Sequence, residues 1–275
     1  MALFGLVDES RSHNNFFMFD GENSIGVDGQ NTYGPDAVLS MLNFYLSQHF
    51  NGEEILIIYC DNCRGRNQNR FLMGYCVDSV RNGRYKEVQV HFLPVGHTNF
   101  SPDGFFGLFK RIFRRSTLDL PSQLRHTVGD QVGGSSTFVK GNQEVYWSWY
   151  DWKAYLEPRY DTIKGFQGSY HFRLTHTTEQ GVVLEYSYTD GVDEKEVVLE
   201  FAPKQRKGKA SEERERRAER NPRPAALTVA GPSENRETQL LDDISQHVSF
   251  DKKLAFRSYI QSIAPRKIAQ KSKRS

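Results

Sequence analysis

The sequence predicts an α/β protein built on a parallel or mixed sheet with helices on its faces. Between residues 34 and 115, segments with apolar residues at helical spacing alternate with short β-branched or aromatic runs. Strands that alternate with helices close onto such a sheet. Composition agrees: of 275 residues, 37% are hydrophobic and 13% aromatic, ample for a core and incompatible with wholesale disorder. Unbroken aliphatic runs reach four residues, at Ile55 to Ile58, far short of a membrane-spanning helix.

The elements follow in order. Residues 2–7 and 15–20 read as two strands joined by a polar turn, a β-hairpin. Gly34, Pro35 and Asp36 open a helix whose Val38, Leu39, Leu42, Tyr45 and Leu46 share one face. EILIIYC, residues 54–60, is a continuous apolar strand, the pattern of a strand covered on both faces. Residues 61–66 form a loop, and 67–80 a helix with Phe71, Leu72, Tyr75 and Cys76 on one face. VQVHFLP, 88–94, is a strand, and 100–115 a helix with Pro102 in its first turn. These pieces make a core of residues 1–134. Residues 135–202 are richer in strands and either extend the sheet or form a small appended subdomain. Trp147, Trp149 and Trp152 suit a packed core better than base stacking.

Composition shifts at Pro203. KQRKGKASEERERRAERNPRPAA carries dense charge and no large apolar residue, so 203–234 reads as a linker or a fraying charged helix. Helical spacing returns in 235–263 through Leu240, Leu241, Ile244 and Val248, then Leu254, Tyr259, Ile260 and Ile263. Residues 235–275 therefore read as a short, basic, two-helix tail.

The net charge of +2 conceals a split. Residues 203–275 hold 18 Lys and Arg against 9 Asp and Glu, a net of +9, so residues 1–202 carry −7. Such asymmetry fits nucleic-acid contact or a merely solvated tail. The start, MALFGLVDES, lacks a basic segment and turns acidic by Asp8, so no secretory signal is expected. Three cysteines, Cys60, Cys63 and Cys76, favour a reducing compartment over a disulfide scaffold. Cys60 and Cys63 form a single CxxC pair without a second ligand pair, so a structural Cys60 in an apolar strand is preferred to zinc or redox chemistry.

Two loops can carry chemistry. In YCDNCRGRNQNRF, Asp61 ends a strand, Asn62, Asn67, Gln68 and Asn69 supply amides, and Arg64, Arg66 and Arg70 supply charge. That suits phosphate positioning beside a metal-binding carboxylate, or an ordinary polar loop with Asn67 as the helix N-cap. In PVGHTNFSPDGFFGLFKRIFRR, His97 follows a strand end, and Asp103 lies where a carboxylate complements a helix N-terminus. Lys110, Arg111, Arg114 and Arg115 make a cationic helix face that fits a phosphate backbone or simply faces water. Together, one acid at a strand end and another opening a helix after the next strand fit a two-metal phosphoryl-transfer site.

The same loops carry a resemblance. DNCRGRNQNRF resembles a DNC-x-GQNKN motif, and VGHTNFSPDGFFGLFKRIFRR resembles GHT-x-x-x-x-D-x-x-FG-x-x-K/R. Both belong to a large, uncharacterised family of transposon-encoded proteins, and LFGLVDE, GPDAVLSMLNFYL and YDW are similar to it too. The likeness runs from about residue 3 to 202, with a weaker echo in the tail. It implies a ribonuclease H-like, DDE transposase or integrase-like fold. Asp61 and Asp103 would then be the second and third catalytic, metal-binding acids, His97 would join them as a catalytic residue positioning water or phosphate, and Asn62 would lie beside them. The cofactor would be Mg²⁺ or Mn²⁺, the partner DNA, and the compartment the nucleus, with cytoplasm second. Family members carry a first acid in a D-[FY]-A-Q strand upstream of LFG. This chain opens on Met1 just before LFG, so that strand is expected to be lacking, and neither Asp8 nor Asp20 stands in for it. Three readings follow: a DNA-binding protein that is catalytically incomplete, an active metal-dependent nuclease or polynucleotidyl transferase using Asp61 and Asp103, and an inactive fragment with an exposed sheet edge.

Overall fold

Two larger sheets, each mixing parallel and antiparallel pairs, and a two-stranded one organise the described residues. The structure is a computed structural model. It describes residues 2–19, 34–61, 69–94, 100–118, 120, 123, 126–127, 132, 135–140, 147–160, 169–177, 181–187, 195–199, 223–227 and 234–263. The α/β class expected from the sequence is present, and among the described residues no helix is long and apolar enough to cross a membrane.

The chain divides into two compact units, each assembled from separate stretches of sequence. The first comprises residues 1–32, 101–146 and 228–275. Its hairpin, β1 (Ala2–Asp8) and β2 (His13–Phe19), is antiparallel as expected. Ser12, in the turn, takes a positive φ of 47°. Parallel to β2 runs β5 (Ser135–Lys140), giving the order β1-β2-β5. On this sheet packs α3 (Ser101–Arg115), whose Phe109 joins Phe16, Met18 and Val132 in a core bordered by Leu3, Phe105, Phe106 and Ile112. Gly5 admits that helix: a Cβ there would lie 2.8 Å from the Phe106 ring.

The second unit comprises residues 33–100 and 147–227. Its five-stranded sheet runs β3 (Ile55–Cys60), β4 (Glu87–Phe92), β7 (His171–Thr177), β8 (Gly181–Ser187) and β9 (Lys195–Leu199). The pair β3–β4 is parallel and the rest antiparallel. A short strand, β6 (Trp149–Tyr150), pairs with β10 (Ala226–Leu227). Helix α1 (Pro35–His49) starts on Pro35, whose fixed φ and missing N–H suit the first turn. Leu39, Leu42 and Tyr45 of the expected face are buried. Helix α2 (Arg70–Arg81) joins β3 to β4 and is buried almost all round. Its cap is Asn69, whose Oδ1 accepts from the N–H groups of Phe71 and Leu72 at 2.9 and 3.0 Å, so the N-cap is Asn69 rather than Asn67. Helix α4 (Trp152–Leu156) follows, capped by Asp151. All three tryptophans are buried; Trp147 and Trp149 meet edge to face at 5.4 Å.

Two expectations need correction, and for residues 135–202 one of the two alternatives is realised. Residues 1–134 do not share one sheet: the hairpin pairs with β5, whereas β3 and β4 pair with β7, β8 and β9. Residues 135–202 thus extend both sheets, because their strands are the antiparallel and parallel neighbours the earlier strands need. Strand β3 is not covered on both faces. Among the described residues it ends the sheet, α2 packs on β4, β7 and β8, and Ile55, Ile57 and Tyr59 are 53%, 49% and 59% exposed.

The tail forms α5 (Glu234–Gln239), a π turn, two 3₁₀ turns and α6 (Lys253–Ile263). Leu240, Val248, Phe256, Tyr259 and Ile260 cluster, with Leu120 and Leu241 packed against them. Leu254, read as core-facing, is 80% exposed, because the helix rotates Phe256 inward instead. Most of the expected charged linker, 203–222, lies outside the described residues, as do the basic residues after 263.

Candidate nucleic-acid interface

Helix α3 assembles the clearest functional surface. At 100° per residue, Lys110, Arg114, Arg111 and Arg115 span an arc of about 140°, and Ile112, Phe105, Phe109 and Phe106 fill the opposite arc of about 120°. The packing follows that division. Phe109 is buried against Phe16 at 5.4 Å, and all four cations are exposed. No ion pair to any of the four is found among the described residues. Arg114 and Arg115 sit in the last turn, where the helix dipole favours cations, and Asp103 in the first, where it favours an acid.

The other expected site residues are distributed over both units. Asp61 directly follows β3 and is exposed in the second unit; Asp103 is exposed in the first. Arg70 opens α2, pairs with Glu157 and lies 4.7 Å over the Phe71 ring, so its charge is engaged locally. His97, Arg64, Arg66 and Asn62 lie outside the described residues, as does Cys63. Among the described residues no three His, Cys, Asp or Glu side chains converge to hold a metal ion.

Cys60 and Cys76 are free thiols. Burial pushes Cys76 up to about 12 and raises Cys60 still further, aided by the nearby Asp61 charge. Both therefore rest as protonated thiols near neutrality, as buried cysteines do.

One polar constellation escaped the sequence reading. Tyr59, His91 and His171 stand in register across β3, β4 and β7. The Tyr59 ring stacks on His91 at 4.8 Å and 20°, and the two imidazole Nδ1 atoms lie 2.8 Å apart. His91 and His171 do alternate with apolar residues in VQVHFLP and SYHFRLTH, but the antiparallel register that joins them spans 80 residues.

A family model described as a domain of unknown function, DUF7869, matches residues 29–190, which include Asp61, Asp103 and the α3 cations. No curated protein and no solved structure gives a match. Since the matched span exceeds half of the 275 residues, the chain belongs to the DUF7869 family.

Proposed function

We propose that this chain is a DNA-binding protein of ribonuclease H-like, transposon-derived origin, in which Asp61 and Asp103 do not by themselves complete a catalytic centre. One observation carries the reading: the α3 face, four exposed cations on an arc opposite an aromatic seam anchored by buried Phe109, unpaired among the described residues. Lys and Arg held this way displace the counterions condensed on a duplex, which gives affinity without base readout. The origin is supported by the motif resemblance and by a parallel β3–α2–β4 unit whose first strand ends at Asp61, where α/β sheets place their sites. The basic tail sequences KQRKGK and RKIAQKSKR suit nuclear residence.

The test is fluorescence anisotropy of a labelled duplex titrated with the full chain across a salt series. A steep linear fall of log affinity with log salt is expected; salt-insensitive binding would overturn the proposal. Removing all of 203–275 would confuse the outcome, because Leu240, Phe256 and Ile260 belong to a packed cluster. Deleting 264–275 tests the basic terminus without touching it.

A second reading is favoured by the position of Asp61 at the carboxyl end of a parallel strand: a Mg²⁺- or Mn²⁺-dependent nuclease or polynucleotidyl transferase. Its test is plasmid nicking with either metal. Nicking abolished by Asp61→Asn supports it, and nicking that is absent or survives the substitution removes it.

A further inference from the structure

On one face of the second unit's sheet, two histidines meet through the same ring nitrogen, at hydrogen-bond distance. His91 on β4 and His171 on β7 are direct antiparallel partners, both half-buried, with Nδ1 atoms 2.8 Å apart. The Nε2 of His91 lies 3.3 Å from the Gln89 Oε1. A side-chain carbonyl oxygen only accepts, so His91 Nε2 carries the proton and its Nδ1 presents a lone pair to His171. Gln89 is itself held, donating from Nε2 to a Glu87 oxygen at 2.5 Å, and the other Glu87 oxygen accepts from Arg173 at 2.8 Å. Tyr59 stacks on the His91 ring and fixes its plane.

Such a relay, from carboxylate to amide to the remote ring nitrogen, is the support that orients metal-bound histidines. We propose that His91 and His171 form a chelating site for a divalent transition metal through their two Nδ1 atoms, with water completing the shell. The bite angle indicates which metals. With metal–nitrogen bonds of about 2.0–2.1 Å, two nitrogens at 90° stand about 2.9 Å apart, and at the tetrahedral angle about 3.3 Å. The observed 2.8 Å matches the right-angle case, which belongs to square-planar or octahedral Cu²⁺ and Ni²⁺ rather than to tetrahedral Zn²⁺. No net proton need leave: the His171 proton moves from Nδ1 to Nε2 as its Nδ1 takes up the metal. The site lies wholly within the second unit and is independent of Asp61, Asp103 and the α3 face.

The experiment uses the tag-free full chain titrated with CuCl₂ and, separately, NiCl₂ and ZnCl₂, read by calorimetry and, for Cu²⁺, by electron paramagnetic resonance. One Cu²⁺ per chain is expected, with hyperfine coupling to two nitrogens. His91→Asn and His171→Asn should each weaken binding at least tenfold, and Gln89→Ala about tenfold through loss of the oriented tautomer. His176→Asn, an exposed histidine elsewhere on β7, should change nothing. Wild-type Cu²⁺ held by oxygen alone, undiminished binding in both single variants, or Zn²⁺ bound more tightly than Ni²⁺ would overturn the assignment. The wild-type spectrum decides even if a histidine variant fails to fold.

Discussion

Replacing Lys110, Arg111, Arg114 and Arg115 together by Ala tests the α3 interface most directly. All four side chains are exposed, and the opposite face keeps Phe109 in its core, so each substitution should change stability by no more than about 0.5 kcal/mol. The effect on DNA is larger. Each phosphate neutralised contributes about −0.9 to the slope of log affinity against log salt. If all four cations engage phosphates, the variant's slope should be shallower by about 3.6. Between about 50 and 200 mM salt each contact is worth roughly a factor of 3.5, so four are worth roughly 150-fold. The assay is anisotropy of a labelled duplex at five salt concentrations, with circular dichroism as the folding control. Replacing the three arginines by Lys should keep the slope, since charge and not fork geometry produces it. A quadruple Ala variant that folds and keeps the wild-type slope refutes the interface.

Three further outcomes can be measured. Phe256→Ala should destabilise by about 3–5 kcal/mol because the ring is buried among Leu240, Val248, Tyr259 and Ile260, whereas Leu254→Ala should shift urea unfolding by no more than about 0.5 kcal/mol. The Arg173 hydrogen bond holds the Glu87 carboxyl below the usual range, so the pair's stabilisation is present above the unfolded carboxylate value near 4.3 and is lost as pH falls through the folded one. Arg173→Gln should therefore lower stability by about 0.5–1 kcal/mol at pH 7 and by less as pH drops through 4, and a gap that persists in acid would contradict it. Ile57→Lys should leave the melting temperature unchanged and reduce self-association by light scattering, since the residue is half exposed on a terminal, wholly apolar strand.

Local structure was legible because it depends on spacing. Pro35, the apolar i, i+3, i+4 face of α1 and the paired runs of the hairpin all act over a few residues, and each element formed where those signals fall. Pairing was not legible. Nothing in EILIIYC distinguishes a central strand from a terminal one, because apolar alternation is lost in both when the buried face and the open face carry equally apolar side chains. Among the described residues β4 lies on one side of β3 and no strand on the other, α2 covers β4, β7 and β8, and Ile55, Ile57 and Tyr59 are left about half exposed. The same holds for Leu254 and Phe256: both fit a helical face, and the choice between them is made by the packing partners Leu120, Leu240 and Val248.

The candidate sites divide along the same line. The α3 cations were legible because charge and period are both local, and a helix converts them into a face without help from distant residues. Asp61 and Asp103 were legible as acids at a strand end and a helix start, yet a metal centre is a statement about convergence, which spacing of 42 residues cannot supply. The histidine pair is the converse. Neither His91 nor His171 carries a motif, and the site arises only when antiparallel register sets their Nδ1 atoms face to face. Register is decided by which apolar set must be buried: Val88 and Val90 opposite Leu174 and Phe172 fix the pairing, and the histidines, alternating with them, are carried into contact on the other face. A core requirement on one side of the sheet thus determines the chemistry available on the other.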